Sequence, residues 1–337
     1  MLNHLFIKNI PMVGIDIGSH TIKAVLLGKT HNQYKLEAFA IEPVAHGAVV
    51  AHDIRDRDAV AGALGRIRKK IPAAVKCAAM AVSGYTTINK TILMEACLTD
   101  SELEMQLITE SDALFPYPLQ QSYFDFQRKA LCPQQPSKVQ VELNIVRTSH
   151  IQPRLAAMTH AGFTAKVVDV EREALCRAVQ LCFSQLPAGA EDKTIGLLDI
   201  GGSMLSFCVI RAGQVLYSRE QLFAGIETPV TPVQTGPAIT SFLVVQLLQQ
   251  IRRNIELYQH SSEYLALDYL LLCGGTVLSA DIAQLLSDEL TVPVFIANPF
   301  LSMQKAASIN PLQLAAQSAQ LMIATGLALR SFSSCHL

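Results

Sequence analysis

The tripeptide Asp-Ile-Gly occurs twice, at Asp16-Ile17-Gly18 and at Asp199-Ile200-Gly201, each time ending one apolar run just before another. The first copy reads VGIDIGSHTIKAVLL from Val13 to Leu27, and the second reads IGLLDIGGSMLSFCV from Ile195 to Val209. Short apolar runs, partly β-branched and broken by Gly with Ser or Thr, predict strand, tight turn, strand. Glycine permits positive φ there and lets the backbone approach a ligand with no Cβ in the way. Turn N–H groups that converge can hold a phosphate, with the hydroxyls of Ser19, Thr21 and Ser203 beside them. A carboxylate would repel that phosphate, so the chemistry open to Asp16 and Asp199 is to hold a hydrated magnesium ion that bridges the charges. One such turn is ordinary in any protein. Two with matching flanks predict two related halves that present one acidic phosphate site.

A third glycine turn follows. Tyr269-Leu270-Leu271-Leu272-Cys273-Gly274-Gly275-Thr276 is an apolar strand running into Gly-Gly, ahead of the helix-compatible segment Ser279 to Leu290. A strand that enters a helix through Gly-Gly lets the backbone lie against a planar or anionic ligand near a helix start. In this order the three turns resemble the ATPase fold shared by actin, Hsp70 and sugar kinases. That resemblance makes the two hairpins the phosphate loops and Gly274, Gly275 and Thr276 the adenosine loop.

The elements that must position these turns alternate between strand and helix, as an α/β protein requires. A third strand is expected over Tyr34 to Pro43, a helix over Asp58 to Lys70 and a strand over Ala78 to Val82. Thr99 and Glu102 form a capping box for a helix that ends before Pro116. Strands at Ser122 to Arg128 and Val139 to Arg147 and a helix from Ile151 to Ala161 make residues 85–162 a small α+β insertion. A strand at Val167 to Glu171 and a helix from Arg172 to Cys182 lead to a linker at Pro187 to Lys193. The expected organisation is therefore a tail over 1–12, a first lobe over 13–84 and 163–186, the insertion, a second lobe over 190–330 and a tail over 331–337. Within the second lobe, Val244, Leu248, Ile251, Ile255 and Tyr258 step by four and three along one face of a core helix.

With 337 residues, half of them hydrophobic, the chain can bury large cores. A net charge of −1 gives no electrostatic footprint for nucleic acid. The basic run Arg66 to Lys70 reads as the solvated end of a helix. The eight cysteines contain no C-x-x-C pair and read as reduced core residues. No segment is expected to span a membrane, since the most apolar stretch, Ile239 to Leu248, falls short of the ~20 residues a span needs.

Further segments sharpen the resemblance. Phe115-Pro116-Tyr117-Pro118 with Phe124-Asp125-Phe126, Val168-Asp169-Val170-Glu171, the helix Gln250 to Tyr258, Ala297-Asn298-Pro299-Phe300 and Ala324 to Arg330 resemble the PilM family of type IV pilus assembly. The match runs from about Val13 to Arg330. It implies a two-lobed, actin-like (ribonuclease H-like) α/β ATPase fold with a small subdomain inserted in the first lobe. It also implies a cytoplasmic protein that binds ATP and magnesium and holds the N-terminal cytoplasmic tail of a PilN-like inner-membrane protein. Through that partner it would sit at the inner membrane and connect to the pilus motor ATPases. Carried over residue by residue, Asp16, Gly18, Ser19, Thr21 and Lys23 match the first phosphate loop, and Asp199, Gly201, Gly202 and Ser203 match the second. Gly326 lies in the segment that closes the cleft. No catalytic residue is assigned, although Asp169 and Glu171 occupy the inter-lobe strand.

One departure stands out. After the strand Leu216 to Leu222, Phe223 to Thr228 resembles the remnant of a turn, and Pro229, Pro232 and Pro237 oppose the helices that would carry adenosine contacts. Weakened nucleotide binding is the expectation. The alternatives are a kinase or ATPase with true turnover, a cell-division or secretion relative, and a scaffold with a degenerate nucleotide site. The FtsA-type alternative would end in an amphipathic helix, whereas Ser331 to Leu337 is short and polar.

Overall fold

The structure is a computed structural model that describes residues 10–30, 33–222, 237–261, 264–275 and 280–332. It contains a larger compact unit, residues 1–81 with 157–337, and a smaller one, residues 82–156.

The larger unit starts with β1 (Val13–Ile17), β2 (Thr21–Thr30) and β3 (Gln33–Pro43), a meander of antiparallel strands. A tight hairpin of β4 (Val49–Val50) and β5 (Asp53–Ile54) follows. The Asp56 side chain then caps α1 (Arg57–Lys70), which buries Val60, Leu64 and Ile67. Arg68, Lys69 and Lys70 fall in its last turn, where positive charge suits the helix dipole. β6 (Cys77–Val82) pairs parallel with β1.

The smaller unit comprises β7 (Thr87–Glu95), α2 (Asp100–Thr109), α3 (Ser111–Leu114), β8 (Ser122–Cys132), β9 (Gln135–Arg147) and the start of α4 (Thr148–His160). Its antiparallel sheet has the order β7-β9-β8. Leu103 and Leu107 of α2 pack with Val141, Leu143 and Ile145 of β9. The expected capping box is present: the Glu102 carboxylate accepts from the Thr99 N–H at 2.7 Å, and the Glu102 N–H donates to the Thr99 hydroxyl at 3.3 Å. β7 was not foreseen as a strand, because its half-exposed alternation is diluted by Asn89, Lys90 and Thr91.

The chain returns through β10 (Thr164–Val170) and α5 (Glu171–Val179). The segment read as a linker contains a short 3-10 turn over Ala190–Asp192, and Ala190 is buried in the core beyond it. Then come β11 (Ile195–Ile200), β12 (Met204–Arg211), β13 (Gln214–Leu222), α6 (Pro237–Gln259), β14 (Tyr269–Gly274), α7 (Ala280–Leu290) and β15 (Val294–Ile296). β16 (Gln304–Lys305), α8 (Pro311–Gln317) and α9 (Met322–Ala328) complete the described residues with short 3-10 turns between and after them. In α6, Leu248, Ile251 and Tyr258 are buried and Ile255 is partly so, as the stepwise spacing requires, while the side chain of Val244 lies outside those described.

The two large sheets share one plan. Their orders are β10-β6-β1-β2-β3-β16 and β13-β12-β11-β14-β15. In each, the Asp-Ile-Gly strand pairs antiparallel with the strand after it and parallel with a strand on its other side. Even the irregularities correspond: the second and third strands of each meander shift register at Leu26/Leu27 and at Val209/Ile210, ten residues beyond each aspartate (16 to 26, 199 to 209).

Helices α5 and α9 lie in the core that joins these sheets, with Ala174, Ala178, Met322 and Leu327 packed beside Ala79 of one sheet and Leu197 and Leu271 of the other. Two glycines permit that packing. A Cβ on Gly14 of β1 would lie 2.0 Å from the Ala324 carbonyl of α9, and one on Gly326 would lie 1.8 Å from the Ala174 carbonyl of α5. The stretch Pro311–Phe332 is long and apolar enough to cross a membrane by length and composition, a feature the sequence reading did not foresee. Of its 18-residue apolar window, 61% is buried inside the fold, where the stretch builds this core.

The packing gives a direct expectation. Gly14→Ala and Gly326→Ala each lose about 3 kcal/mol or more in urea unfolding, because backbone on both sides must move. Gly65→Ala, a helical site with nothing within 4 Å of its Cβ, is neutral or gains up to about 1 kcal/mol in the same measurement.

Candidate functional site

The two Asp-Ile-Gly turns have the same construction. β1 ends at Ile17 and β2 begins at Thr21, and across the three-residue turn the Gly18 N–H donates to the Thr21 carbonyl at 3.1 Å. β11 ends at Ile200 and β12 begins at Met204, and the Gly201 N–H donates to the Met204 carbonyl at 2.9 Å. The positive φ expected of these glycines is not what selects them: Gly18, Gly201 and Gly202 all avoid it. Space selects them instead. A Cβ on Gly18 would sit 3.0 Å from the Thr21 carbonyl and 3.2 Å from the Lys23 ammonium, and one on Gly201 would sit 2.9 Å from the Met204 carbonyl.

The turns meet. The Ser203 hydroxyl donates to the Ser19 hydroxyl at 3.3 Å, and Gly202 lies so close to His20 that a Cβ would stand 2.1 Å from the imidazole Nδ1. His20 also bonds Ser19, with Nδ1 3.0 Å from its hydroxyl. Residues 184 positions apart are thereby brought to one place.

Beneath the first turn, Asp16 and Lys23 are directly paired across β1 and β2, and the Lys23 ammonium donates to the Asp16 carboxylate at 2.9 Å. Both are nearly inaccessible, at 5% and 9% exposure. Burial works to lower the proton affinity of Lys23. The charge and hydrogen bond of Asp16, with Asp199 and Glu171 behind it, overcome that and raise it. The lysine assigned to a phosphate loop is thus already the counter-ion of the carboxylate assigned to magnesium.

Asp199 is placed differently. It stands at the end of β11 between Ser206 of β12 and Cys273 of β14. Burial pushes its carboxyl up to about 6; Lys23 pulls it down, Asp16 adds repulsion, the Cys273 thiol donates a hydrogen bond and Glu220 repels it further. Cys273, buried beside it, has its own thiol pushed well up. The one Lys23 ammonium thus acts on Asp16, Asp199 and Glu171 together.

The third turn is only partly described. Gly274 has φ of 113°, and a Cβ there would be 2.3 Å from the Ile200 carbonyl, so both conformation and close approach demand glycine. Gly275 has open space where a side chain would be. Thr276 lies outside the described residues, as do residues 223–236, where the shortened adenosine side was read. Gly326 is a packing residue between α9 and α5, with its carbonyl accepting from Arg177 Nε at 3.1 Å. Asp169 is held by Arg177, with Arg330 Nε 3.6 Å away. Glu171 opens α5 and has His52 Nδ1 3.7 Å from its carboxylate. Two neighbours of this region, His52 and Glu220, had no local signal: one sits in a turn and the other in a half-buried strand, and only tertiary folding unites them with Glu171.

The family described as type IV pilus assembly protein PilM matches residues 14–230 and 238–332. The chain belongs to the PilM family. A solved PilM–PilN type IV pilus biogenesis complex is similar at 22% identity and a TM-score of 0.74, covering 96% of this chain and 98% of that one. The ethanolamine utilization protein EutJ from Carboxydothermus hydrogenoformans is similar at 14% identity and a TM-score of 0.54, covering 98% and 92%. The fold is accordingly the actin-like ATPase fold expected from the sequence, and the PilM membership places the chain in type IV pilus assembly.

Asp199 carries a pH signature. Its proton affinity is higher in the folded chain than in an unfolded one, so it favours the fold below about pH 4 and disfavours it increasingly as pH rises through about 6. Asp199→Asn is therefore expected to stabilise the ligand-free protein by about 1–2 kcal/mol at pH 7.5, after allowing for partial solvent screening, and by nearly nothing at pH 4. Urea denaturation at the two pH values checks it.

Proposed function

We propose that the chain is a cytoplasmic, nucleotide-responsive scaffold of type IV pilus assembly. It binds ATP with magnesium and holds the N-terminal cytoplasmic tail of a PilN-like inner-membrane protein, so that it is peripheral to the inner membrane through its partner. Contact with the pilus motor ATPases on the other side belongs to the same reading.

The observation that carries the nucleotide half is the meeting of the two Asp-Ile-Gly turns, with Ser19 and Ser203 in hydrogen-bond contact above Asp16, Lys23 and Asp199. The Gly18 and Gly201 N–H groups close the turns, and Ser19, Thr21, Gly202 and Ser203 supply backbone N–H groups and hydroxyls suited to phosphate oxygens. Gly274 and Gly275 offer the flat backbone for the adenosine, and Thr276 is assigned with them. The donor set fits magnesium: Asp16 and Asp199 are hard oxygen ligands, and burial, the main cause of the raised proton affinity of Asp199, disfavours its bare carboxylate. Bound there through water, the ion would stabilise that carboxylate and bridge it to the phosphates.

The partner half rests on family membership, supported by the likeness to a PilM that assembles with PilN. A scaffold suits the remaining residues better than an efficient catalyst does. Hydrolysis requires a side chain free to orient water. The Asp169 carboxylate is instead engaged by Arg177.

Co-purification decides the partner half. The full chain is expected to retain the N-terminal cytoplasmic tail of a PilN-like protein from the same organism, with a change in the retained fraction when Mg-ATP is added. Failure to retain the tail under either condition overturns the assembly role.

A further inference from the structure

We propose that His52, Glu171 and Glu220 bind a divalent transition-metal ion, with zinc the best fit, at a site separate from nucleotide-linked magnesium. The three come from unrelated parts of the chain: the turn between β4 and β5, the first residue of α5, and the C-terminal part of β13. One ligand atom from each lies within 4.8 Å of the others. His52 Nδ1 is 3.7 Å from the Glu171 carboxylate. Tetrahedral zinc with bonds near 2.0–2.2 Å holds its ligand atoms about 3.4 Å apart, so the cluster needs only a modest contraction.

The donor chemistry is selective. Two carboxylates alone would suit any hard cation, whereas an imidazole nitrogen shifts preference toward zinc and its transition-metal neighbours. Three protein donors leave a fourth position for an exchangeable oxygen ligand. All three residues are partly sheltered, with the His52 and Glu171 side chains 14% and 16% exposed.

The fold fixes the turn that presents His52: Ala51 and His52 form a two-residue hairpin turn with φ of 47° and 67°.

The test uses the full chain without nucleotide, so its outcome is independent of the ATP reading. Titration with zinc is expected to show one saturable ion per chain, and cobalt(II) in its place to give visible bands of nitrogen and oxygen ligation. Glu220→Gln and His52→Ala are each expected to weaken zinc at least tenfold and to abolish the cobalt spectrum. Should His52→Ala fail to fold, the isosteric Glu220→Gln decides. A wild-type chain without a saturable zinc site, or variants that bind as tightly as wild type, overturns the proposal. So does magnesium binding as strong as zinc and indifferent to His52.

Discussion

A lysine ammonium and an aspartate carboxylate taken out of water together are stable only while each has the other. Desolvation costs several kcal/mol per ion, and loss of one partner strands the second. The Asp16–Lys23 pair meets that condition because direct cross-strand pairing in a two-strand hairpin sets the two side chains against each other. Everything at the site follows from this pair. It fixes the floor of the first turn, crowds Gly18 together with the Thr21 carbonyl, and commits the Lys23 ammonium first to Asp16. Asp199 is left with a share of Lys23 too small to offset burial and the repulsion of its neighbours. On the proposed nucleotide reading, a divalent cation would stabilise the buried Asp199 carboxylate.

The rest of the larger unit brings two such turns together. Each half presents its acidic strand in the middle of a sheet, flanked antiparallel on one side and parallel on the other, with a bulge at the same distance along the meander. Between the halves, α5 and α9 are packed close enough that Gly14 and Gly326 tolerate no Cβ. Strand, helix and helix in backbone contact form a stiff connection. It holds Ser19 against Ser203 across 184 residues of sequence.

Much of this was legible from sequence because the relevant signals are local. Repeated Asp-Ile-Gly between apolar runs specifies a hairpin, Thr99 with Glu102 specifies a helix start, and the stepwise Leu248, Ile251 and Tyr258 specify a buried helix face. What was not legible depends on packing between distant segments. Gly326 reads as a ligand-site glycine by position, yet its constraint is the Ala174 carbonyl of another helix. The glycines of the turns looked conformational and are steric. Lys23 matches the first phosphate loop by position, and only its ladder partner shows that it pairs with Asp16. Pro311–Phe332 has the composition of a membrane span, and only its surroundings make it a core element. His52, Glu171 and Glu220 carry no shared motif, and no reading of one strand or helix at a time could have joined them.

The central claim is that the paired turns are one magnesium-dependent phosphate site. A 31P NMR titration of Mg-ATP with the full chain tests it even at weak affinity, reading wild type against Asp199→Asn. The account predicts a saturable, magnesium-dependent perturbation of the β and γ resonances at one nucleotide per chain, lost in the folded Asp199→Asn protein. No perturbation by wild type, or the same perturbation by both proteins, would contradict it.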